Sequence, residues 1–267
     1  MTLNTSALPL TVSTIAQGLR ETGVKPGMTL LVHASLKAAN RWIAGGPSAL
    51  ILALEQTLGG DGTLVMPAHT PNLSEPSEWR YPPVPEEWWE IIRAEMPPFE
   101  PDLTPSGHMG VTAECFRKRN GTLRSRHPQL SFAAKGKHAA VITENHSIDY
   151  GLGEQSPLAR LYELDGYVLL FGVGYDRCTS LHLSEYRAEY ASKAYVKQGA
   201  PLLADGQRQW VTYDEINLDS DDFARLGEAF EKEVSSVQIG KIGDADIRLV
   251  RVRPLVDFGV RWIAKHR

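Results

Sequence analysis

Two short apolar runs, Met28–His33 (MTLLVH) and Gly62–Met66 (GTLVM), enclose the segment ALILALEQTL, which Pro47-Ser48 opens and Gly59-Gly60 closes. The short runs suit strands buried on both faces, and the longer segment suits a helix. Strand, helix and strand joined this briefly predict a parallel α/β layer. Ahead of it, Thr11 or Ser13 caps a helix through Glu21, with Gly23 as its stop and a Lys25-Pro26-Gly27 turn behind. Further along, Met109–Arg119 reads as a helix. Leu161–Val173 carries an Asp165-Gly166 turn that feeds an apolar strand, and Thr179–Ala191 reads as the helix after it. The stretch PLLADGQRQWVTYDE pivots on Asp205-Gly206, a tight-hairpin pair. Residues 222–235 are helical, and a last helix lies around Val256–Ile263. The expected class is therefore α/β, a central mixed or parallel sheet with flanking helices. No repeat or flexible linker interrupts the chain, so residues 1–267 are expected to form a single domain.

Residues 67–108 break the rhythm, with many prolines beside Trp79, Trp88 and Trp89. A Pro/Trp-rich insertion of this length, about 70–106, reads as a lid or binding wall, or as a packed excursion over one end of the core.

Composition narrows the function classes. With 28 Lys+Arg against 32 Asp+Glu the net charge is −4, so no global basic field recruits nucleic acid. Two cysteines, Cys115 and Cys178, exclude a disulfide scaffold and a cysteine-only zinc site. The longest apolar stretch, near Ile51, is broken by Glu55, so no membrane span is expected. The start, MTLNTSALPLTVST, lacks a basic region and a long apolar core, and a cytoplasmic enzyme is the expectation.

The sharpest cluster is Thr179-Ser180-Leu181-His182-Leu183-Ser184-Glu185, directly after the strand LLFGVG. Chemistry in α/β proteins gathers where a strand ends and a helix opens. His182 and Glu185, three apart, share one helix face. A histidine there can act as general base near neutral pH, or sit half-buried on a backbone carbonyl. His182 lacks an H-E-x-x-H partner, and a His33/His69/His182 metal site has no support in spacing. The chain has no G-x-S-x-G elbow and no phosphate-binding glycine loop. Ser35 follows the first strand, and Arg124-Ser125-Arg126 gathers cations and a hydroxyl suited to an anion, or to a solvated loop. The acidic stretch Tyr213–Asp222 reads either as solvated caps or as an attractor for a polycation.

Taken in order, VHASL (32–36), GGDGTLVMPAHT (59–70), PPVPEEWW (82–89), TPSGHMGVTAECFR (104–117), RSRHPQLSFAAKG (124–136), GEQSPLARLYELDGYVLLFGVG (153–174) and TSLHLSEYRA (179–188) resemble the aminoglycoside 3-N-acetyltransferase family. This is the antibiotic acetyltransferase group not built on the GNAT fold. Here the GNAT loop [RQ]-x-x-G-x-[GA] fails at its last position in both nearest approaches, Arg20–Lys25 and Gln56–Asp61. The resemblance implies an antibiotic N-acetyltransferase-type fold and transfer of acetyl from acetyl-CoA to the 3-amino group of a 2-deoxystreptamine ring, with no metal. It casts His182 as general base, Asp219 or Glu185 as the carboxylate that orients it, and Thr179 as a donor to the thioester oxygen. It places acetyl-CoA against Ser35, Leu36, Met109, Gly110, Val111, Arg124 and Ser125. It assigns the polycationic aminoglycoside to Trp88, Glu185, Asp219 and Asp221, with the insertion as cleft wall. Cys178 stands where asparagine is common, and Asn217 where some members carry a second acid. The rival readings are a family member acting on a different, biosynthetic amine, a metal-dependent hydrolase, and a binder in which His182 is only structural.

Overall fold

A computed structural model describes residues 7–267; Met1–Ser6, on which part of the expectation about the N-terminal segment rests, lie outside the described residues. Helix α1 (Val12–Glu21) starts at Thr11, whose hydroxyl accepts from the Thr14 N–H while the Thr14 hydroxyl takes the Thr11 N–H. This reciprocal cap satisfies two donors that a helix start leaves open. The chain continues through β1 (Thr29–Ala34), α2 (Pro47–Leu58), β2 (Thr63–Pro67), α3 (Trp89–Glu95), α4 (Gly110–Arg117), β3 (Leu123–Arg124), β4 (Phe132–Gly136) and α5 (Ala139–Thr143). Then come α6 (Pro157–Glu163), β5 (Tyr167–Phe171), α7 (His182–Arg187), β6 (Tyr195–Ala204), β7 (Gln207–Ile216), α8 (Phe223–Glu233), β8 (Gln238–Ile242), β9 (Ala245–Arg251) and α9 (Val252–His266).

Seven strands form one mixed sheet in the order β3-β4-β2-β1-β5-β9-β8. Its centre is parallel, β1 pairing with both β2 and β5, as the short connections predict; β4 and β9 run antiparallel on either side. Leu30 and Val32 of β1 pack into a core beneath α1, α2 and α4, whereas Leu31 points into a second core beneath α5–α9. Burial on both faces explains why β1, β2 and β5 are continuous apolar runs rather than alternating ones. Hairpin β6–β7 stands apart as a two-stranded sheet, turned by Asp205 (φ 51°) and Gly206 (φ 74°). Two successive positive φ values are what a tight hairpin turn of this hand requires.

Two helices depart from the expected bounds. The segment expected as a helix over Thr179–Ala191 is a 3-10 turn (Thr179–Leu181) followed by α7, which ends at Arg187. Lys193 closes it by donating Nζ to the carbonyls of Tyr186 and Ala188, each at 2.9 Å. The final helix starts earlier than Val256, because Pro254 sits in its first turn, where its missing N–H leaves no bond unmade.

The insertion leans on the hairpin. Phe99 donates its N–H to Pro201 O at 3.0 Å, and Arg208 of β7 donates to the Met96 and Arg93 carbonyls. No helix among the described residues is long and apolar enough to cross a membrane.

Candidate active site

The parallel strands β1, β2 and β5 all end on one edge of the sheet, where a cleft of about 560 Å³ opens. The chain leaving β1 contributes Ala34–Lys37, the end of β2 gives Met66 and Pro67, and the segment after β5 supplies Val173 and Asp176–Thr179. His108–Ala113, His182, Ser220 and Phe223 complete the lining. This is the carboxyl-edge position at which open α/β sheets bind ligands.

His182, the first residue of α7, lines this cleft with 16 % of its side chain exposed. Its Nδ1 is 2.5 Å from Glu185 Oε2, the contact that the three-residue spacing predicts. A carboxylate can only accept, so Nδ1 carries the hydrogen and Nε2 is the ring nitrogen left for the cleft. The Phe223 ring lies 4.9 Å from the imidazole and limits its rotation. Glu185 is fully buried. Its other oxygen, Oε1, accepts from the Asp219 N–H at 2.9 Å and from Arg267 Nη1 at 2.6 Å. Of the two acids expected to orient the imidazole, Glu185 touches it, whereas Asp219 reaches it only through its main chain. The side chain of Asp219 is exposed and accepts from the Asp221 N–H at 2.8 Å. Glu185 is sealed from any substrate, so it has no contact to offer an amine, contrary to the expectation from the resemblance.

Of the positions expected to hold acetyl-CoA, Ser35, Leu36, Met109, Gly110 and Val111 all line the cleft, together with Thr179. His108 (φ 59°) and Gly110 (φ 83°) turn the main chain at the start of α4, and a Cβ built on Gly110 would meet nothing within 4 Å. The opening is therefore bare backbone, with the first-turn N–H groups of α4 uncapped by any side chain.

Arg124 and Ser125 belong elsewhere. The Arg124 guanidinium donates to Ser131 Oγ (3.0 Å), Pro101 O (2.9 Å), Thr104 O (2.5 Å) and Ala68 O (2.7 Å), clasping the insertion to the sheet. Burial pushes it down to about 10, helped by the nearby Arg117 charge. Ser125 is fully buried; its Oγ accepts from the Phe132 N–H and bonds His146 Nδ1. A guanidinium can meet carbonyl oxygens as well as phosphate oxygens, and here peptide carbonyls take the position that the resemblance gives to the carrier. The cations at the cleft are instead Lys37 and Arg177. Each directly adjoins a segment the sequence does single out, VHASL and Cys178-Thr179, and that adjacency was the available signal.

Trp88 does not line this cleft. It stands half exposed over a separate apolar depression with Trp79, Val84, Ile91, Ile92 and Met96. The acidic stretch also divides. Glu215 is buried and receives the Tyr186 hydroxyl and the Gly151 N–H, Asp214 pairs with Lys197 at 2.6 Å, and Asp222 pairs with Arg267. Only Asp219 and Asp221, beside the cleft residue Ser220, remain as exposed carboxylates in the 219–221 stretch.

Other histidines stand nearby without being singled out by motif. His33 Nε2 lies 3.2 Å from Thr179 Oγ1. Burial first, then the neighbouring His182, hold His33 down to about 3, and burial does the same for His69. Both are neutral rings at working pH. Among the described residues no three His, Cys, Asp or Glu side chains gather as a metal site, so His33, His69 and His182 are not a ligand triad.

Residues 31–264 match the family model for aminoglycoside 3-N-acetyltransferase. The chain is 42% identical to the SPbeta prophage-derived aminoglycoside N(3')-acetyltransferase-like protein YokD of Bacillus subtilis (strain 168), over 97% of this chain and 94% of that protein. It is 35% identical to aminoglycoside N(3)-acetyltransferase VII of Streptomyces paromomycinus, over 96% and 92% of the two chains. The crystal structure of YokD superposes with a TM-score of 0.95 at 42% identity, covering 97% of this chain and 95% of that one. The binary complex of AAC-IIIb with CoASH superposes with a TM-score of 0.86 at 32% identity, covering 97% of each chain.

Proposed function

Because the chain belongs to the aminoglycoside 3-N-acetyltransferase family and is an N-acetyltransferase, we propose that it moves acetyl from acetyl-CoA onto the 3-amino group of a 2-deoxystreptamine ring, with His182 as general base. The observation that carries this reading is the His182–Glu185 pair at 2.5 Å, opening onto a cleft built from uncapped backbone and two cations. The likeness to AAC-IIIb, whose complex holds CoASH, supports the same use of the cleft here.

The carrier suits the residues present. Open backbone at Gly110, the first turn of α4 and the cations Lys37 and Arg177 offer donors to phosphate oxygens. Ser35, Leu36, Met109 and Val111 supply the adjoining wall. The thioester supplies the electrophile: the amine nitrogen gains the acetyl group as the C–S bond breaks, and sulfur ends with a proton.

A protonated amine has no lone pair, so the nucleophile must lose its proton first or during attack. His182 Nε2 takes that proton and can return one to sulfur. Glu185 keeps Nδ1–H in place and stabilises the imidazolium while it lasts. Thr179, held against His33, presents a hydroxyl to the developing oxyanion. Asp219 and Asp221 meet the other ammonium groups of a polycationic substrate, and the chain works as one domain; the insertion at about 70–106 gives no lining residue to this cleft, whose wall on that side begins at His108.

The test is thiol release from acetyl-CoA with gentamicin and sisomicin as acceptors, and simple diamines as controls. His182→Ala should lower kcat by about 10²–10⁴-fold, the usual share of a general base. Unchanged turnover would remove His182 from the mechanism. Acetylation of the diamines but not the aminoglycosides would favour a different amine as substrate.

A further inference from the structure

Helix α7 holds only six residues, too few to fix its own side chains, yet it presents both His182 and the carboxylate that orients it. Of the two groups that hold the inner oxygen of that carboxylate, one is the Asp219 N–H and the other comes from 82 residues away. Arg267 follows α9 and inserts its guanidinium between two acids, with 8 % of its side chain exposed. Nη1 donates to Glu185 Oε1 at 2.6 Å, Nε to Asp222 Oδ2 at 2.9 Å, and Nη2 to the Asp219 carbonyl at 2.6 Å and to Asp222 Oδ1. The guanidinium also lies 5.7 Å from the Phe223 ring and 5.8 Å from the Tyr190 ring, which leave it little room to turn. Four of the five N–H groups of the planar fork are thereby used, and a single-point cation cannot reproduce that geometry.

Resting on the reading of His182 as base, we propose that Arg267 is a positioning residue for acetyl transfer. It anchors Oε1 of the buried Glu185, so that Oε2 stays aimed at His182 Nδ1, and it balances a carboxylate that would otherwise face the imidazole alone. The charged and titratable groups around His182 are Glu185 on its own helix, His33 of β1, His69 after β2, Glu215 of β7, Asp219 and Asp222 before α8, and Arg267 behind Glu185, with Lys37, Asp176 and Arg177 lining the same cleft. The two histidines are neutral, and Arg267 is the cation bonded directly to Glu185. Without it Oε1 keeps only the Asp219 N–H, and the carboxylate that aims the imidazole loses its charged anchor.

The experiment compares Arg267→Gln, Arg267→Lys, Asp222→Asn, Glu185→Gln and the double variant Arg267→Gln/Glu185→Gln in acetyl transfer. A one-dimensional proton NMR spectrum of the His182 Nδ1–H is recorded alongside. Arg267→Gln should lower kcat by about 10- to 100-fold, the range for losing an outer partner that orients an imidazole. KM for both substrates should hold, and the downfield Nδ1–H signal should shift. In the Glu185→Gln background the same change should cost nothing more. Arg267→Lys should recover part of the loss. Asp222→Asn, which cuts only the other leg of the fork, should leave kcat near the parent value. The proposal is overturned if Arg267→Gln leaves kcat and the signal unaltered, if its effect adds fully to that of Glu185→Gln, or if Asp222→Asn reproduces it. Should Arg267→Gln fold poorly, the ordering of Lys and Asn variants decides alone. Normal turnover by His182→Ala would instead defeat the reading of the base, while the NMR signal would still report whether Arg267 sets the His182–Glu185 bond.

Discussion

Arg124 offers a decisive contrast between a residue that grips protein and one that grips a ligand. Replacing it with Met keeps the length of the stem and removes four donated hydrogen bonds. Two of the acceptors are not stranded: Pro101 O still receives Arg117 Nη1 at 3.1 Å, and Ala68 O still receives the Ser131 hydroxyl at 2.8 Å. Thr104 O is left with no other partner among the described residues. Charge-assisted bonds are worth about 1.5–3 kcal/mol each, but with two of the four acceptors still partnered the net loss should be about 2–4 kcal/mol. That loss falls on the insertion rather than the whole sheet. Local opening would therefore speed amide exchange at Thr104, bonded to Glu100 O, and Gly107, bonded to His69 O. At tenfold per 1.4 kcal/mol the acceleration is roughly 30- to 700-fold. Hydrogen exchange read by mass spectrometry on peptides spanning 97–108, with KM for acetyl-CoA measured in parallel, tests this. Unaltered exchange together with a raised KM for acetyl-CoA would mean that Arg124 serves the carrier after all.

Further outcomes follow from the buried rings and thiols. His33 and His69 are held down to about 3 and His146 to about 4, chiefly by burial, and His127 lies well below its ordinary value for the same reason. The unfolded chain takes up these protons near 6.5 and the folded chain refuses them, so stability is full above about 6.5 and declines toward 4, by up to about 1.4 kcal/mol per pH unit for each ring. Urea melts at several pH values should show this slope, and His146→Gln should lessen it; a flat profile would contradict the burial argument. Burial also pushes the Cys178 thiol up to about 12, whereas Cys115 is partly exposed. A maleimide should therefore label Cys115 in the native protein and reach Cys178 only on unfolding, as peptide mapping would reveal.

Much of the fold is legible because its strongest signals are local. The central strands read as apolar runs since both faces are covered, Thr11 reads as a cap, and Asp205-Gly206 reads as a hairpin turn. The His182–Glu185 pair is legible for the same reason, since helix spacing alone brings it together. What sequence leaves open depends on distant partners. Lys193 ends α7 through carbonyls that no local pattern marks. The choice between Asp219 and Glu185 turned on which one the fold buries against the imidazole. Arg124 stays open between anion site and loop because charge and loop position look the same whether the acceptor is phosphate or peptide.

The insertion's fastenings have a further consequence. Arg117, Arg124 and Arg208 hold it by main-chain oxygens of Arg93, Met96, Pro101, Asp102 and Thr104, acceptors present whatever side chains stand there. The outward side chains Tyr81, Trp88, Ile91 and Leu103 are exposed and take no part in the anchoring. The outer face is thus free to diverge while the segment keeps its seat, so that natural variation or directed evolution can rewrite it without touching the buried Phe99 or the scaffold beneath.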